Sequence, residues 1–487
     1  MQLKKPSLKI NAVLNVVKQC CMIIYPMITF PYASRVLGAE NYGKINFSNS
    51  IISYISLLAG LGITNYAIRE GAQIRSEKNK LQSFINEVFS LNLCSTIFAY
   101  LCLVVLVLFW PKMESYVSVI WIQSFVVLFT TLGMDWINSL YEDYLYITLR
   151  YILCQGLAII LMFLLVKGSD DYIWYAFSSM IGTVIANIMN MIHIYKTWGV
   201  FPKFRWSASM IRHLKAIMIM FGSSIASLIY INSDITILGI MTNDTVVGYY
   251  SVSSKVYTLV KQLMNALLIV AIPRIANELT DNNDEKITYR LNQIFQYLIL
   301  LVLPAAMGLG VLYKNIILLL AGQEYIRSAS SLKILSLALV FATLACFYIN
   351  VIMLPFRMEA KILKATIISA GLNIILNLIL IPFGQENSAA FTTLISEIVM
   401  FLLGMWYVKG KFKAQIKRVL IISILGMIWI QISYLVVKKV TEYNSIVIFS
   451  TIIVSCIGYV ILLAICFKRA IKRKLITLNK RKIKRII

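Results

Sequence analysis

Apolar runs of about twenty residues, parted by short polar connections, recur along almost the whole chain of 487 residues. A bilayer core about 30 Å thick takes ~20 apolar residues as helix, because lipid offers the backbone no other hydrogen-bond partner. The windows predict fourteen spans: 10–34, 45–68, 85–110, 116–140, 150–166, 172–195, 215–240, 246–272, 291–313, 328–354, 362–382, 388–408, 418–437 and 445–467. The first is too long, and followed by too many others, for a cleaved signal peptide. The expected fold class is an all-α polytopic membrane protein.

Lys and Arg test this count, because they gather in cytoplasmic connections. With the N-terminus inside, 34 of them fall on one side, in clusters such as Arg69 to Lys80, Lys196 to Lys215 and Lys409 to Arg418. Only 8 fall on the other: Arg35, Lys44, Lys112, Lys167, Lys314, Arg327, Lys438 and Lys439. A missed span would scramble the alternation, so an even count with both termini cytoplasmic follows. The basic stretch from Lys468 to Arg485 either rests on anionic headgroups, at ~1 kcal/mol per basic residue, or serves as a stop-transfer signal.

Sliding the chain on itself by 205 residues lays Gly43 of Ala-Glu-Asn-Tyr-Gly-Lys-Ile-Asn on Gly248 of Asp-Thr-Val-Val-Gly-Tyr-Tyr-Ser. The same offset pairs the first three spans with the seventh to ninth. Spans four to six match ten to twelve after a slip of about ten residues. The expected domains are an N-terminal six-helix lobe (1–197), an amphipathic cytoplasmic linker carrying Trp198, Phe201, Phe204 and Trp206 (198–214), a C-terminal six-helix lobe (215–410), a helix pair (411–467) and a basic tail (468–487). Repeats of like orientation are a transporter architecture, with substrate held near the midplane.

Polar residues at helical spacing mark a face that meets water, substrate or another helix. The first span carries Asn11, Asn15, Lys18, Tyr25, Thr29 and Tyr32; the second, Asn49, Ser53, Ser56 and Gly60. The seventh carries Ser223, Ser227, Tyr230 and Asp234; the eighth, Ser251, Lys255, Thr258, Gln262 and Asn265. These four spans open the two halves, so a shared cleft explains them economically. Helix–helix hydrogen bonding is the alternative for any one stripe, and the eleventh span, with Thr366, Ser369, Asn373 and Asn377, weakens the pattern.

Composition agrees with the spans: 59% of residues are hydrophobic and 14% charged, against about a quarter charged in soluble domains. The formal net charge of +25 therefore reads as membrane topology and not as a nucleic-acid surface. The 8 cysteines sit within apolar runs without metal-ligand spacing, and the 2 histidines, His193 and His213, are too few for a multi-histidine metal site. No catalytic residue, metal or cofactor is expected.

A charge at the bilayer centre costs ~3 kcal/mol or more unless it meets water or a partner. Lys255, at mid-depth within a polar stripe, is the leading substrate-binding candidate. Lys18 lies close enough to its span's end to reach the interface. Lys261 is one residue off the stripe, and Asp234 is a candidate partner for it; Asp234 itself reads equally as counter-ion, proton carrier or sugar contact. Asp135, Glu142 and Asp143 are expected to pair with Arg150 or loop lysines. Glu397 and Lys333 read as isolated structural charges. Pro26 should bend the first span, and Pro31 should end it before Arg35. Arg35 is placed to receive a phosphate or to pair with Glu40.

The motifs Arg-Val-Leu-Gly-Ala-Glu-Asn-Tyr-Gly (35–43), Asn-Tyr-Ala-Ile-Arg-Glu (65–70), Tyr-Glu-Asp-Tyr-Leu-Tyr-Ile-Thr-Leu-Arg (141–150) and Val-Gly-Tyr-Tyr-Ser-Val-Ser-Ser-Lys-Val-Tyr (247–257) resemble the bacterial polysaccharide repeat-unit flippases. These belong to the multidrug/oligosaccharidyl-lipid/polysaccharide exporter superfamily. The resemblance implies a MATE-like pair of six-helix lobes around a cationic cavity in the bacterial cytoplasmic membrane. It also implies alternating access and an undecaprenyl-diphosphate-linked oligosaccharide as cargo. Lys255 and Arg35 match motif positions; Asp135-Trp136 also fits, whereas Ser-Leu-Tyr-Glu at 139–142 departs from the usual Gly-Leu-Glu and puts a role for Glu142 in doubt. The substrate-binding set is then Lys255, Arg35, Lys18, Asp234, Lys261, Asn15, Tyr25, Asn49, Thr258 and Gln262. Expected partners are the lipid-linked oligosaccharide and membrane lipids, with the pathway's polymerase and glycosyltransferases as further candidates. A lipid II flippase is the alternative, followed by a cation-coupled multidrug antiporter. A glycan polymerase fits poorly, since it would want a large outer loop bearing acid and base groups.

Overall fold

The computed structural model describes residues 8–207, 209–269, 284–410 and 412–483. Among these residues every regular element is helical. In chain order they are α1 (Leu8–Gly60), α2 (Ile63–Ile74), α3 (Lys78–Phe109), α4 (Val117–Gly133), α5 (Trp136–Leu140), α6 (Tyr144–Leu165), α7 (Tyr172–His193), α8 (Met210–Met241), α9 (Asp244–Ile269), α10 (Asp284–Val311), α11 (Tyr313–Leu320), α12 (Ser328–Cys346), α13 (Glu359–Tyr407), α14 (Lys417–Val440) and α15 (Asn444–Ile483).

Eleven stretches of the described residues are long and apolar enough to cross a membrane. Their outward faces are greasy: Ile97, Phe98, Leu101, Val105 and Leu108 run down one side of α3, all exposed, a surface that only lipid satisfies. Residues 270–272 of the predicted eighth span, Arg274, and the tail's last residues 484–487 lie outside the described residues; of the tail, the helix is described as far as Ile483.

The breaks fall elsewhere than the prolines suggest. α1 runs through Pro26 and Pro31 and turns non-helical only at Gly38, with φ 73° and ψ 172°, a backbone state open essentially to glycine. Pro31 therefore does not end the first span; the helix absorbs it and breaks two turns later. The predicted second span stops at Gly60, and α2 is a separate amphipathic helix that buries Ile63, Tyr66, Ala67 and Gly71. The predicted fourth span is interrupted at Met134, where the backbone is left-handed.

Several breaks recur at the offsets of the repeat. The left-handed Glu142 and Arg357 are 215 positions apart. Gln385, the non-helical point inside α13, stands 215 positions after Asp170, in the turn between α6 and α7. Gly38 stands 205 positions before Asn243, in the turn between α8 and α9.

The described residues form two compact units. One holds the chain up to Ser251 together with Thr366–Ala389; the other holds Val252–Ala365 and the chain from Ala390 on. The first is centred on Tyr66, Phe84, Ile85, Trp136, Ile137 and Ile217, with the linker docked beside them. There Trp198 stacks on Tyr141 with ring centroids 3.9 Å apart, and the linker amides of Lys203 and Arg205 donate to Asn86 Oδ1 and Ser90 Oγ at 2.9 and 2.8 Å. Phe201, Phe204 and Trp206 stay exposed. The second unit is centred on Phe295, Phe347, Tyr348, Met353 and Val408.

Candidate functional site

The two glycines aligned by the repeat meet each other. A Cβ on Gly43 would overlap the Asp244 carbonyl and the Gly248 amide, and a Cβ on Gly248 would overlap the Ala39 carbonyl. α1 and α9 thus touch backbone to backbone, which only hydrogen side chains permit. Polar contacts surround the crossing. The Tyr116 hydroxyl donates to Asp244 Oδ1 at 2.5 Å. Lys112 Nζ donates to the Ile240 and Thr242 carbonyls at 3.1 and 3.2 Å, where the C-terminal end of α8 favours a cation. Lys44 Nζ lies 5.1 Å from the Tyr172 ring centre. Burial pushes the Asp244 carboxyl above its ordinary range, while the Tyr116 hydroxyl, Lys44 and Lys112 pull it back.

Deeper in the same unit, Asp234 is buried and accepts from the Tyr250 hydroxyl at 2.6 Å and from Asn377 Nδ2 at 2.6 Å. Asn377 also donates to Asn373 Oδ1 at 3.0 Å, and Ser233 donates to that same oxygen at 2.7 Å. The eleventh-span stripe therefore has a use that spacing alone did not assign: it supplies the Asn377 amide that holds Asp234, with Asn373 accepting from that same amide. Nearer the glycine crossing, Thr236 Oγ1 lies 3.1 Å from Ser50 Oγ and 3.4 Å from the Tyr54 hydroxyl, tying α8 to α1.

In the second unit Lys261 Nζ stands 2.6 Å from Glu397 Oε1, which also accepts from Tyr257 at 3.0 Å. The partner of Lys261 is thus Glu397, and Glu397 is not isolated. Lys255, half-buried on the same helix, has no hydrogen bond or ion pair with any described residue. Thr258 is half-buried and Gln262 exposed beside it.

The remaining candidates lie along α1. Asn15 and Asn49 are exposed; Lys18 and Tyr25 are half-buried; Arg35 is exposed. Lys18 has no polar partner among the described residues. It stands seventeen residues before Arg35 on one uninterrupted stretch of helix, a separation of about 25 Å at 1.5 Å per residue. These two cations cannot hold one headgroup together. Among the acidic candidates, Asp135 pairs with Arg150 at 2.5 Å and Glu142 with Arg75 at 2.9 Å, so both are neutralised. Asp143 is 2.9 Å from His193.

Residues 9–278 match the family described as "Polysaccharide biosynthesis protein", which is more than half of the chain. The chain belongs to that family. Its motifs at 35–43 and 247–257 lie within the matched region. Two relatives of the chain carry the name "Putative O-antigen transporter". That of Escherichia coli (strain K12) is 24% identical over 284 residues, 58% of this chain and 68% of the relative. That of Shigella dysenteriae is 23% identical over 257 residues, 52% of this chain and 63% of the relative. Among solved structures, the fold is similar to "Lipid II flippase MurJ, inward closed conformation", with a TM-score of 0.74, 18% identity and coverage of 95% of this chain and 99% of that one. An inward-facing multidrug resistance MATE family transporter of the MOP superfamily follows at a TM-score of 0.58 and 14% identity, covering 80% and 95%. The family member is a multi-pass helical membrane protein with a MurJ/MATE-like fold, and the relatives carry the names of transporters and not of enzymes.

Proposed function

We propose that this protein carries undecaprenyl-diphosphate-linked oligosaccharide repeat units from the cytoplasmic to the outer leaflet of a bacterial cytoplasmic membrane by alternating access. The observation that carries the proposal is Lys255: an ammonium at the middle of α9, within the predicted eighth span, with no partner among the described residues. Such a charge is too costly to keep at that depth without an anion or water to meet it. A diphosphate cannot enter hydrocarbon, so the path must replace its water with ammonium, guanidinium and amide donors.

The chain crosses the bilayer fourteen times on this reading. The stretches Val13–Ile74 and Glu359–Tyr407, 62 and 49 residues long, each make two crossings at ~20 residues apiece, and α9 makes one. Both termini are cytoplasmic, as the Lys and Arg bias requires. Lys18 then lies toward the cytoplasmic end of α1 and Arg35 at the outer end, so they serve the headgroup in succession. Lys18 meets it on entry, Lys255 holds it at mid-depth and Arg35 receives it at the exit. Asn15, Tyr25, Asn49, Thr258 and Gln262 offer hydrogen bonds to the sugars. Lys261 and Asp234, already held by Glu397 and by Tyr250 and Asn377, keep the helices in place around that path. The glycine crossing at Gly43 and Gly248 is the outer closure, which must part for release.

Deleting the gene and identifying the lipid-linked intermediate tests the proposal. An undecaprenyl-diphosphate oligosaccharide should accumulate facing the cytoplasm and clear on complementation with the wild-type gene, but not with Lys255→Ala at equal membrane level. No accumulation, or full clearance by the variant, would refute it. A lipid II flippase is the second reading, favoured by the fold similarity at a TM-score of 0.74; accumulation of lipid II in the deletion strain would select it.

A further inference from the structure

We infer a second, separate lipid site in the unit centred on Phe295 and Phe347: a pocket that binds an anionic glycerophospholipid through Lys314, Lys333 and Lys438. The pocket has a volume of about 500 Å³ and lies among α10, α12 and α14; polar Tyr313, Gln431 and Tyr434 and apolar Met307 and Met427 line it, and Lys333 is the lysine in that lining. Leu337 also lines it and is 50% exposed, so the mouth opens on the greasy outer surface of the unit. Lys333 Nζ stands 5.6 Å and Lys314 Nζ 5.9 Å from the Tyr313 ring centre, and Lys438 Nζ stands 5.7 Å from that of Tyr434. Two lysines thus share one pocket tyrosine, and a third sits over the other.

None of the three makes an ion pair or hydrogen bond with a described residue. Ring faces attract a cation but do not neutralise it. On the orientation proposed above, Lys314 and Lys438 are among the few basic residues on the outer side, against the charge bias of the whole chain. Two such exceptions beside one pocket, with the in-span Lys333 in its lining, need a local cause. A phosphate among the three ammoniums supplies the missing anion, with one acyl chain along Met307 and Met427. A free phosphate ion would leave that apolar wall unused. The transport residues proposed above do not line the pocket, so the site stands or falls apart from the transport reading.

The test uses the full-length protein in detergent, with bound lipid read by native mass spectrometry after incubation with dioleoyl phosphatidylglycerol or dioleoyl phosphatidylcholine. The wild type should retain phosphatidylglycerol in preference. Lys333→Gln should weaken retention about fivefold and the triple Lys314→Gln/Lys333→Gln/Lys438→Gln variant about a hundredfold, from the typical strength of one basic residue at a membrane surface. Met307→Trp, which fills the pocket and leaves the lysines, should weaken it too. Equal retention of both lipids, or retention indifferent to the triple and to Met307→Trp, overturns the inference. So does displacement of phosphatidylglycerol by millimolar inorganic phosphate, which would mark an ion site, or by an equal amount of undecaprenyl diphosphate, which would mark a station on the cargo's path.

Discussion

Lys261 and Lys255 share a helix six residues apart, yet their surroundings differ completely. Lys261 is held by a buried carboxylate 136 positions away in the chain, with a tyrosine hydroxyl on the same oxygen. Lys255 meets no partner among the described residues. The pair teaches that a charge within a helix carries no role by itself: what decides is whether the fold has already supplied its counter-charge.

Removing the counter-charge sharpens that contrast most. Glu397→Ala leaves the half-buried Lys261 uncompensated, which costs about 3 kcal/mol and should lower the melting temperature of the purified protein more than any other change proposed. The double Lys261→Met/Glu397→Met variant removes both charges and should recover most of the loss. Next, Asn377→Ala takes a donor from the buried Asp234 carboxylate; at about 1.5–3 kcal/mol for a hydrogen bond to a charged group, thermal unfolding should show a clear but smaller drop. Gly43→Ala forces the glycine crossing apart at about 1–3 kcal/mol of overpacking, and cysteines placed at the outer ends of α1 and α9 should become more reactive to a water-soluble maleimide. Last, Lys255→Met should leave the melting temperature unchanged or raise it, because no native partner is lost. A fall as large as that of Glu397→Ala would mean that Lys255 has a structural partner after all.

Much of the scaffold was legible because lipid imposes it. Apolar windows located the helices, and the 205-residue offset singled out Gly43 and Gly248, which do pack against each other. The slip of about ten residues reappears in the matched left-handed backbones of Glu142 and Arg357. The pairing of Asp135 with Arg150 was also within reach, since the two are close in sequence. Helix breaks were not: Pro31 reads as a stop, but backbone conformation decides the matter and only Gly38 reaches the required φ. Long-range partners were equally hidden. Nothing near Glu397 in the chain points to Lys261, and the Asn373 and Asn377 stripe gave no sign that its target was Asp234. The lysines around Tyr313 and Tyr434 escaped notice because Lys314, Lys333 and Lys438 are scattered over three helices.

The most direct test of the central claim is the translocation rate of an undecaprenyl-diphosphate-linked oligosaccharide in proteoliposomes carrying Lys255→Ala, Lys255→Arg or the Lys261→Met/Glu397→Met pair. The account predicts at least a ~10-fold loss for Lys255→Ala, from the worth of one charge-assisted hydrogen bond, with substantial activity kept by Lys255→Arg and by the paired variant. Wild-type rates for Lys255→Ala at equal reconstituted protein would contradict it.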